Sequence, residues 1–240
     1  MSDVQIMERS TPVAPSIEAI MRSPVHRHHL QLGCRFIREA GWEVPAGYGT
    51  IEAERQHIRS GLVIADIMAR SKADLRGSVD DLRASVPLPA DATFARLTST
   101  WALVLGPPGA IQAWIPAAEQ ASAGGSSMVT DATSVYAGFV LAGSRAQDLL
   151  SRLTAVDLSG VAAGSAVGAQ LMKIPSVVVR GDRAVEVYVG SEYGRYAWES
   201  LLSIGHSLHL QPVGWDALRA ENILPSRQGG AREGVARKEL

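Results

Sequence analysis

The pattern of apolar and polar positions is clearest in the second half of the chain. YAGFVLAG, AVGAQLMKI, SVVVRG and AVEVYVG are apolar or alternating runs that predict strands, and Gly181-Asp182 predicts the turn between the last two. Two amphipathic helices accompany them, one opening with the capping-box pattern Ser144 to Gln147 and one capped by Ser191. This order is close to the split βαβ of ferredoxin-like folds and predicts an α+β domain.

The first half predicts two helices around an aromatic corner. Ser23 as a cap and Gly41 as a stop favour a helix over residues 24–40. In the stretch GWEVPAGYG that follows, the proline and glycines exclude a helix. Thr50 and Gly61 then predict the limits of a second helix, with acidic residues in its first turn and basic residues in its last. LVIADI and the residues after it predict a strand or a strand pair.

The middle of the chain, residues 78–127, is harder to interpret. Charge and two prolines in residues 78–93 indicate a linker. Two apolar runs, Trp101–Leu105 and Ala110–Ile115, flank Gly-Pro-Pro-Gly, which predicts a hairpin.

The domain boundaries follow from composition. We predict a flexible N-terminal arm over residues 1–22 and one folded domain over residues 23–225. Residues 226–240 are polar and glycine-rich, and we predict that they form a disordered tail.

Composition narrows the class of protein. The 240 residues are 46% hydrophobic and 20% charged with a net charge of −1, so no electrostatic feature points to nucleic acid or an anionic membrane as a partner. The single cysteine excludes an internal disulfide and favours a reducing compartment. The N-terminus lacks the apolar segment of a signal peptide, and no run approaches the roughly 18 apolar residues of a membrane span. We therefore expect a cytoplasmic protein that binds neither nucleic acid nor membrane.

Several segments together resemble a known family. SPVHRHH, the corner GWEVPAGY, the helix IEAERQHIR and the strand segment ADIMARSK follow the order of the opening of the glycine-cleavage T-protein, a tetrahydrofolate-dependent aminomethyltransferase. YAGFVLAGSRAQDLL and PVGWDALRAENILP resemble later segments of that family, so the resemblance covers roughly residues 23–225. Tyr136 to Gly205 also resembles the gamma subunit of heterotetrameric sarcosine oxidase. The resemblance implies an aminomethyltransferase folate-binding-like fold without the C-terminal barrel domain.

The sequence differs from the family at motifs that serve folate binding and transfer. The N-x-x-G-G-x-x-D-D segment, whose aspartate serves the reacting folate nitrogen, is missing, and Asp80 and Asp81 lie in a charged segment typical of a solvated loop. The family's Y-T-G-E-D-G loop is shortened to Arg180–Arg183. Trp215 stands where the family has its folate-tail arginine, and Arg70 stands where it has a methionine. No catalytic residue is assigned.

A folate pocket needs an apolar slot for the pterin, a carboxylate for its aminopyrimidine edge and a cation for its glutamate tail. The candidates for these roles are Trp42, Tyr48, Asp66, Arg70, Asp182, Glu186, Trp215 and Arg219. Each also has a structural interpretation: the aromatic residues as core, Asp66 as a cap and Asp182 as a turn residue. Tetrahydrofolate or a related folate is the cofactor that the resemblance implies.

The histidine run raises the question of a metal. His26 and His29 are three residues apart on the predicted helix and could share an ion, but no carboxylate or cysteine joins them at a matched spacing. Cys34 is expected to act as a small buried hydrophobe. We predict no metal site.

Two functions remain open. The first is a non-catalytic or weakly active folate-binding-type protein of one-carbon or amine metabolism, assembling with protein partners into a larger complex. The alternative is an active tetrahydrofolate-dependent aminomethyl or methyl transferase with a rebuilt site. In both, an indole at position 215 cannot replace a guanidinium, so we expect folate to bind more weakly than about 10 μM. Trp215 lies near the end of the apolar second half, where an indole could fill the cavity by packing against Trp42 or Tyr48, so we expect it to be buried.

Overall fold

The computed structural model describes residues 19–225. Its helices are α1 (His26–Gln31), α2 (Ile51–Ser60), α3 (Val79–Ser85), α4 (Ala110–Ser122), α5 (Ala146–Leu153), α6 (Gly194–Gly205) and α7 (Trp215–Ala220). Its strands are β1 (Met21–Arg22), β2 (Arg35–Glu39), β3 (Trp42–Gly47), β4 (Val63–Asp66), β5 (Ser71–Arg76), β6 (Thr93–Thr98), β7 (Trp101–Gly106), β8 (Met128–Asp131), β9 (Tyr136–Ala142), β10 (Ala166–Leu171), β11 (Ile174–Arg180), β12 (Ala184–Gly190) and β13 (Gln211–Pro212).

The aromatic corner is a strand in a small sheet with order β1-β3-β2. The prediction of one helix over residues 24–40 is wrong in its second half. Gly33 takes the left-handed conformation with φ of 72°, which ends α1, and the following residues pair as β2 with β3. Met21–Arg22 pairs with β3 as well, so the predicted arm becomes ordered before residue 23. The rest of the predicted arm, residues 1–18, and the predicted tail lie outside the described residues.

Helix α2 has the predicted limits. The Thr50 hydroxyl accepts a hydrogen bond from the amide of Ala53 at 3.3 Å, and Gly61 closes the helix. Two other predicted caps are not formed: the helix near residue 146 begins without a side-chain cap, and Ser191 opens a short 3₁₀ turn that precedes α6.

The middle segment holds the largest correction. The predicted linker contains α3 and the start of β6. The predicted hairpin is a strand followed by a helix, because Gly109 turns the chain in the left-handed region and Ile111, Trp114 and Ala118 then form one buried helical face. Residues 71–131 thus run β5-α3-β6-β7-α4-β8 with sheet order β6-β7-β5-β8 and antiparallel neighbours, a ferredoxin-like unit.

The second half forms a sheet with order β10-β11-β12-β9-β4-β13. Strand β12 pairs antiparallel with both β9 and β11, so β9 and β11 run parallel with β12 between them, as a split βαβ requires. Strands β12 and β13 also run parallel, joined by α6 and separated by β9 and β4. The predicted turn joins β11 to β12, with the Gly181 amide bonded to the Ala184 carbonyl at 2.9 Å. The predicted α+β fold is confirmed.

Two apolar cores stabilise these sheets. The larger packs β4, β9, β11 and β12 against α5, α6 and α7, and the smaller packs β5 and β7 against α3 and α4. Within residues 19–225, no helix has the length and apolar character needed to cross a membrane.

Candidate functional site

Six of the eight predicted site residues fall into two separate polar clusters. The first is the buried network behind the aromatic corner, made of His29, Tyr48, Asp66 and the indole of Trp215. The Asp66 carboxylate lies 2.9 Å from His29 Nε2 and accepts a hydrogen bond from the Met68 amide at 2.8 Å. The Trp215 indole donates to the Asp66 backbone carbonyl at 2.7 Å. Asp66 therefore has internal partners for both carboxylate oxygens and for its carbonyl.

The imidazole extends this network to the corner itself. His29 Nδ1 lies 2.7 Å from the Tyr48 hydroxyl. In the neutral tautomer that donates from Nε2 to Asp66, Nδ1 accepts the tyrosine proton, so both ring nitrogens are used. Burial raises the pKa of Tyr48 well above its ordinary value, which keeps the phenol protonated. The buried network is a closed chain of hydrogen bonds.

A buried carboxylate ties the corner to α7. Glu54 accepts hydrogen bonds from the amides of Tyr48 and Gly49 through one oxygen and from the amide of Gly214 through the other, the last at 2.7 Å. A side chain at Gly214 would meet the backbone of Ala46 at 2.2 Å, so only glycine allows this close approach. Trp215, the next residue, is thereby directed inward.

The predicted aromatic walls are core residues. Trp42 and Trp215 are buried in the larger core, which confirms the prediction that Trp215 is buried. The Arg219 guanidinium lies 5.0 Å from the Trp215 ring and pairs with Glu39. None of these side chains lines the cleft described next, so Trp215→Arg is not expected to add a cation to it.

The second cluster lies in a polar cleft of about 600 Å³. Its walls come from the start of β6, the β11–β12 turn and the segment after α7. The lining residues are Arg70, Asp91, Ala92, Thr93, Gly181, Asp182, Arg183, Ala184, Glu186, Asn222, Ile223, Leu224 and Pro225. Three of the predicted residues, Arg70, Asp182 and Glu186, therefore meet in one cavity.

An internal ion pair occupies this cleft. Arg70 Nη1 pairs with Glu186 Oε1, and the Tyr188 hydroxyl donates to Glu186 Oε2 at 2.5 Å. The Arg70 and Glu186 side chains are 6% and 16% exposed. Burial opposes the charge of Arg70, but Glu186 outweighs it and raises the pKa of the guanidinium. The carboxylate thus has a charged partner on one oxygen and a phenol on the other.

These residues do not fit a pterin. Its aminopyrimidine edge offers two N–H donors to one carboxylate, and the Arg70 guanidinium presents donors of that kind to Glu186 already. Asp182 is exposed at the turn that lines the cleft. A pterin bound at Glu186 would therefore have to replace the chain's own arginine.

The sequence did not indicate a role for Lys72, which binds the backbone of the loop that carries Arg70. Its ammonium group is buried and donates to the carbonyls of Met68, Arg70 and Thr133 at 2.7, 2.8 and 3.0 Å. Burial and the neighbouring Arg70 lower its pKa to about 7. A lysine in an alternating strand carries no sequence signal of burial, so only the fold reveals that it fixes the loop that presents Arg70.

The three histidines of α1 each have a different acidic partner. His28 Nε2 lies 2.9 Å from Glu199, His26 lies 3.7 Å from Glu43, and His29 belongs to the buried network. Within residues 19–225, no group of three or more His, Cys, Asp or Glu side chains is placed to hold a metal ion. Cys34 is partly buried, and burial raises the pKa of its thiol to about 12.

Comparison with known proteins agrees with the fold. The chain is 26% identical to an aminomethyltransferase of Symbiobacterium thermophilum over 87% of its own length, and 28% identical to one of Frankia alni over 86%. In both cases it spans 65% of the length of the relative.

Two solved structures share the fold. Aminomethyltransferase T from Bartonella henselae superposes with a TM-score of 0.69 at 18% identity, covering 82% of this chain and 60% of that one. A chain of heterotetrameric sarcosine oxidase from Corynebacterium sp. U-96 superposes with a TM-score of 0.56 at 16% identity, covering 66% of this chain and 92% of that one.

The family model described as the GCVT N-terminal domain matches residues 87–229, more than half of the chain. That range contains β9 to β13 and the three acidic residues of the cleft, Asp91, Asp182 and Glu186. On this evidence the chain belongs to the family of the aminomethyltransferase GCVT N-terminal domain.

Proposed function

We propose that this protein is a non-catalytic or weakly active member of the aminomethyltransferase family that acts as a subunit of a larger complex in one-carbon or amine metabolism. The observation that carries the proposal is the ion pair between Arg70 and Glu186. The aminopyrimidine edge of a pterin needs a carboxylate, and here both oxygens of Glu186 are engaged by the chain itself.

Breaking this ion pair for a ligand is unfavourable. A pterin would have to displace a guanidinium that is almost fully buried, leaving Arg70 charged and without its carboxylate partner. Arg70 Nη2 also donates to the Leu105 carbonyl at 3.4 Å, which holds the side chain in the cleft. Tetrahydrofolate is therefore expected to bind weakly or not at all.

A role as a subunit is supported by the shape of the chain. It superposes on 92% of a chain from a heterotetrameric sarcosine oxidase, so a chain with a fold of this kind occurs in such an assembly. Co-expression with the products of adjacent genes, followed by size-exclusion chromatography, tests this part. A stable complex supports the proposal, and a chain that elutes as a free monomer beside every such product contradicts it.

Titration with tetrahydrofolate and 5-formyltetrahydrofolate tests the cleft. We expect dissociation constants weaker than about 10 μM. An activity assay with aminomethyl-lipoyl donors and simple methylamines should show no transfer above background. Binding tighter than about 1 μM, or sustained turnover, would overturn the proposal.

One observation favours an active transferase as a second candidate. Within residues 19–225, no side chain pairs with the Asp182 carboxylate, although it lines the cleft. A free carboxylate could orient a substrate amine or relay a proton there. In that case Asp182→Asn should abolish turnover while leaving thermal stability unchanged. Turnover that survives Asp182→Asn removes this candidate.

A further inference from the structure

An arginine cluster at the edge of the cleft is not explained by the proposed function. Arg55 and Arg59 project from α2, and Arg183 from the β11–β12 turn, and all three contact the carboxylate of Glu221. The N–O distances are 2.8 Å for Arg55, 2.7 Å for Arg59 and 3.6 Å for Arg183. Arg183 also donates to the backbone carbonyl of Glu221 at 2.6 Å.

The charges of this cluster do not balance. One carboxylate neutralises one guanidinium, so Glu221 leaves two of the positive charges of its three arginines unneutralised. Glu221 is only 4% exposed, whereas the arginine side chains are 34%, 53% and 52% exposed. The negative charge is inside and the positive charges face solvent, where an anion can reach them.

The guanidinium groups also have unused donors. Each arginine has five N–H groups in a rigid fork. Arg55 uses only Nε toward Glu221, and Arg183 uses its two terminal nitrogens. Glu221 holds the three forks in fixed orientations, and the arginines in turn lower its pKa to about 2, so it stays ionised. The donors are therefore positioned before a ligand arrives, which reduces the entropy lost on binding.

The position of the cluster connects it to the cleft. Arg183 and Asn222, the neighbour of Glu221, both line the cleft wall. Arg55 and Arg59 extend the same positive surface along α2. The acidic residue that faces the same cleft beside Arg183 is Asp182. A ligand could place its anionic end on the cluster and its body in the cleft.

We infer that Arg55, Arg59 and Arg183 form a binding site for a dianionic oxyanion, the phosphoryl or dicarboxylate end of a small molecule. Planar forks bind such oxygens through paired hydrogen bonds, and an ion with two negative charges matches the excess of two positive ones. The site is separate from Glu186 and does not depend on whether the cleft admits folate.

Calorimetric titration of the full chain with inorganic phosphate and with succinate, at low ionic strength, tests this inference. We expect at least one of them to bind with a dissociation constant of about 1 mM or tighter. Affinity should fall as sodium chloride is added, because the charges are partly exposed. The relative affinity for the two probes identifies whether the ligand end is phosphoryl or carboxylate.

Variants assign the binding to the cluster. Arg183→Gln and Arg55→Gln should each weaken it about tenfold or more, since each removes a charged hydrogen-bonding fork. Arg145→Gln, a matched change at an exposed arginine paired with Asp148, should leave it unchanged. Thermal melting confirms that each variant is folded. If neither probe binds at 10 mM, about tenfold above the expected constant, or if Arg183→Gln and Arg145→Gln behave alike, the inference is wrong.

Discussion

The buried network and the cleft are both built from paired polar side chains, but the network is closed to solvent and the cleft is open to it. In the network, His29, Asp66, Tyr48 and Trp215 satisfy one another away from solvent. In the cleft, Arg70 and Glu186 also satisfy one another, but at the floor of an open cavity. The first cluster stabilises the corner between the sheets. In the second, the carboxylate that we propose would recognise a pterin is already paired within the protein.

This comparison implies that the two clusters respond differently to mutation. Changes in the buried network should lower stability and leave ligand binding untouched except through unfolding. Changes in the cleft should alter binding with smaller effects on stability.

The largest effect is expected from Asp66→Ala. It leaves the His29 ring nitrogen and the Met68 amide buried without their acceptor, which should lower the free energy of unfolding by at least about 3 kcal/mol. Urea denaturation measures this loss. Asp182→Ala, the matched change at the exposed turn, should stay within about 0.5 kcal/mol of the parent. Equal losses in the two variants would remove the distinction between the clusters.

Lys72→Met should have the next largest effect. The change leaves three buried carbonyl oxygens without a donor, and we expect a loss of about 2–4 kcal/mol in urea denaturation. Lys173→Met, at an exposed position, is the control. A Lys72→Met protein as stable as the parent would show that the ammonium group does not support the loop of Arg70.

Trp215→Phe should lower stability moderately without changing ligand binding in the cleft. It removes one hydrogen bond to the Asp66 carbonyl and part of the packing under Arg219, at a cost of about 1–2 kcal/mol. Binding of any cleft ligand should not change, because the indole does not line the cleft. A shift in ligand affinity at unchanged stability would place Trp215 in the binding site after all.

The smallest effect is a pH dependence from Glu221. The arginines lower its pKa from 4.5 to about 2, so its contribution to stability is complete above pH 4.5 and is lost as the pH falls toward 2. Melting temperatures measured through this range should fall less steeply in Glu221→Gln than in the parent. Identical slopes would mean that the cluster does not hold an ionised carboxylate.

The sequence predicted those features that depend on neighbouring residues, such as helix limits and the burial of single side chains. The limits of α2 follow from Thr50 and Gly61, and the burial of Trp215 follows from an indole in an apolar segment. The hairpin predicted around Gly-Pro-Pro-Gly failed because those turn residues also fit a strand-to-helix connection, and only the buried face of Ile111 and Trp114 distinguishes the two.

The cleft could be predicted only in part. Arg70 and Glu186 were both candidates, but they lie 116 residues apart, and no spacing in the chain indicates that one neutralises the other. Likewise, Arg55 and Arg59 each lie more than 160 positions from Glu221 in the sequence, and they meet it through a helix pairing that the pattern did not show. Contacts between distant segments depend on the topology of the sheets.

The most direct test compares tetrahydrofolate binding by the parent protein and by Arg70→Met. If Arg70 occupies the carboxylate that a pterin needs, Arg70→Met frees Glu186 and should raise the affinity by about tenfold or more, since a charge-assisted hydrogen bond becomes available. The gain should vanish in the double variant Arg70→Met with Glu186→Gln and be absent in Arg145→Met. The account is contradicted if the parent binds tetrahydrofolate tighter than about 1 μM, or if a folded Arg70→Met protein gains no affinity.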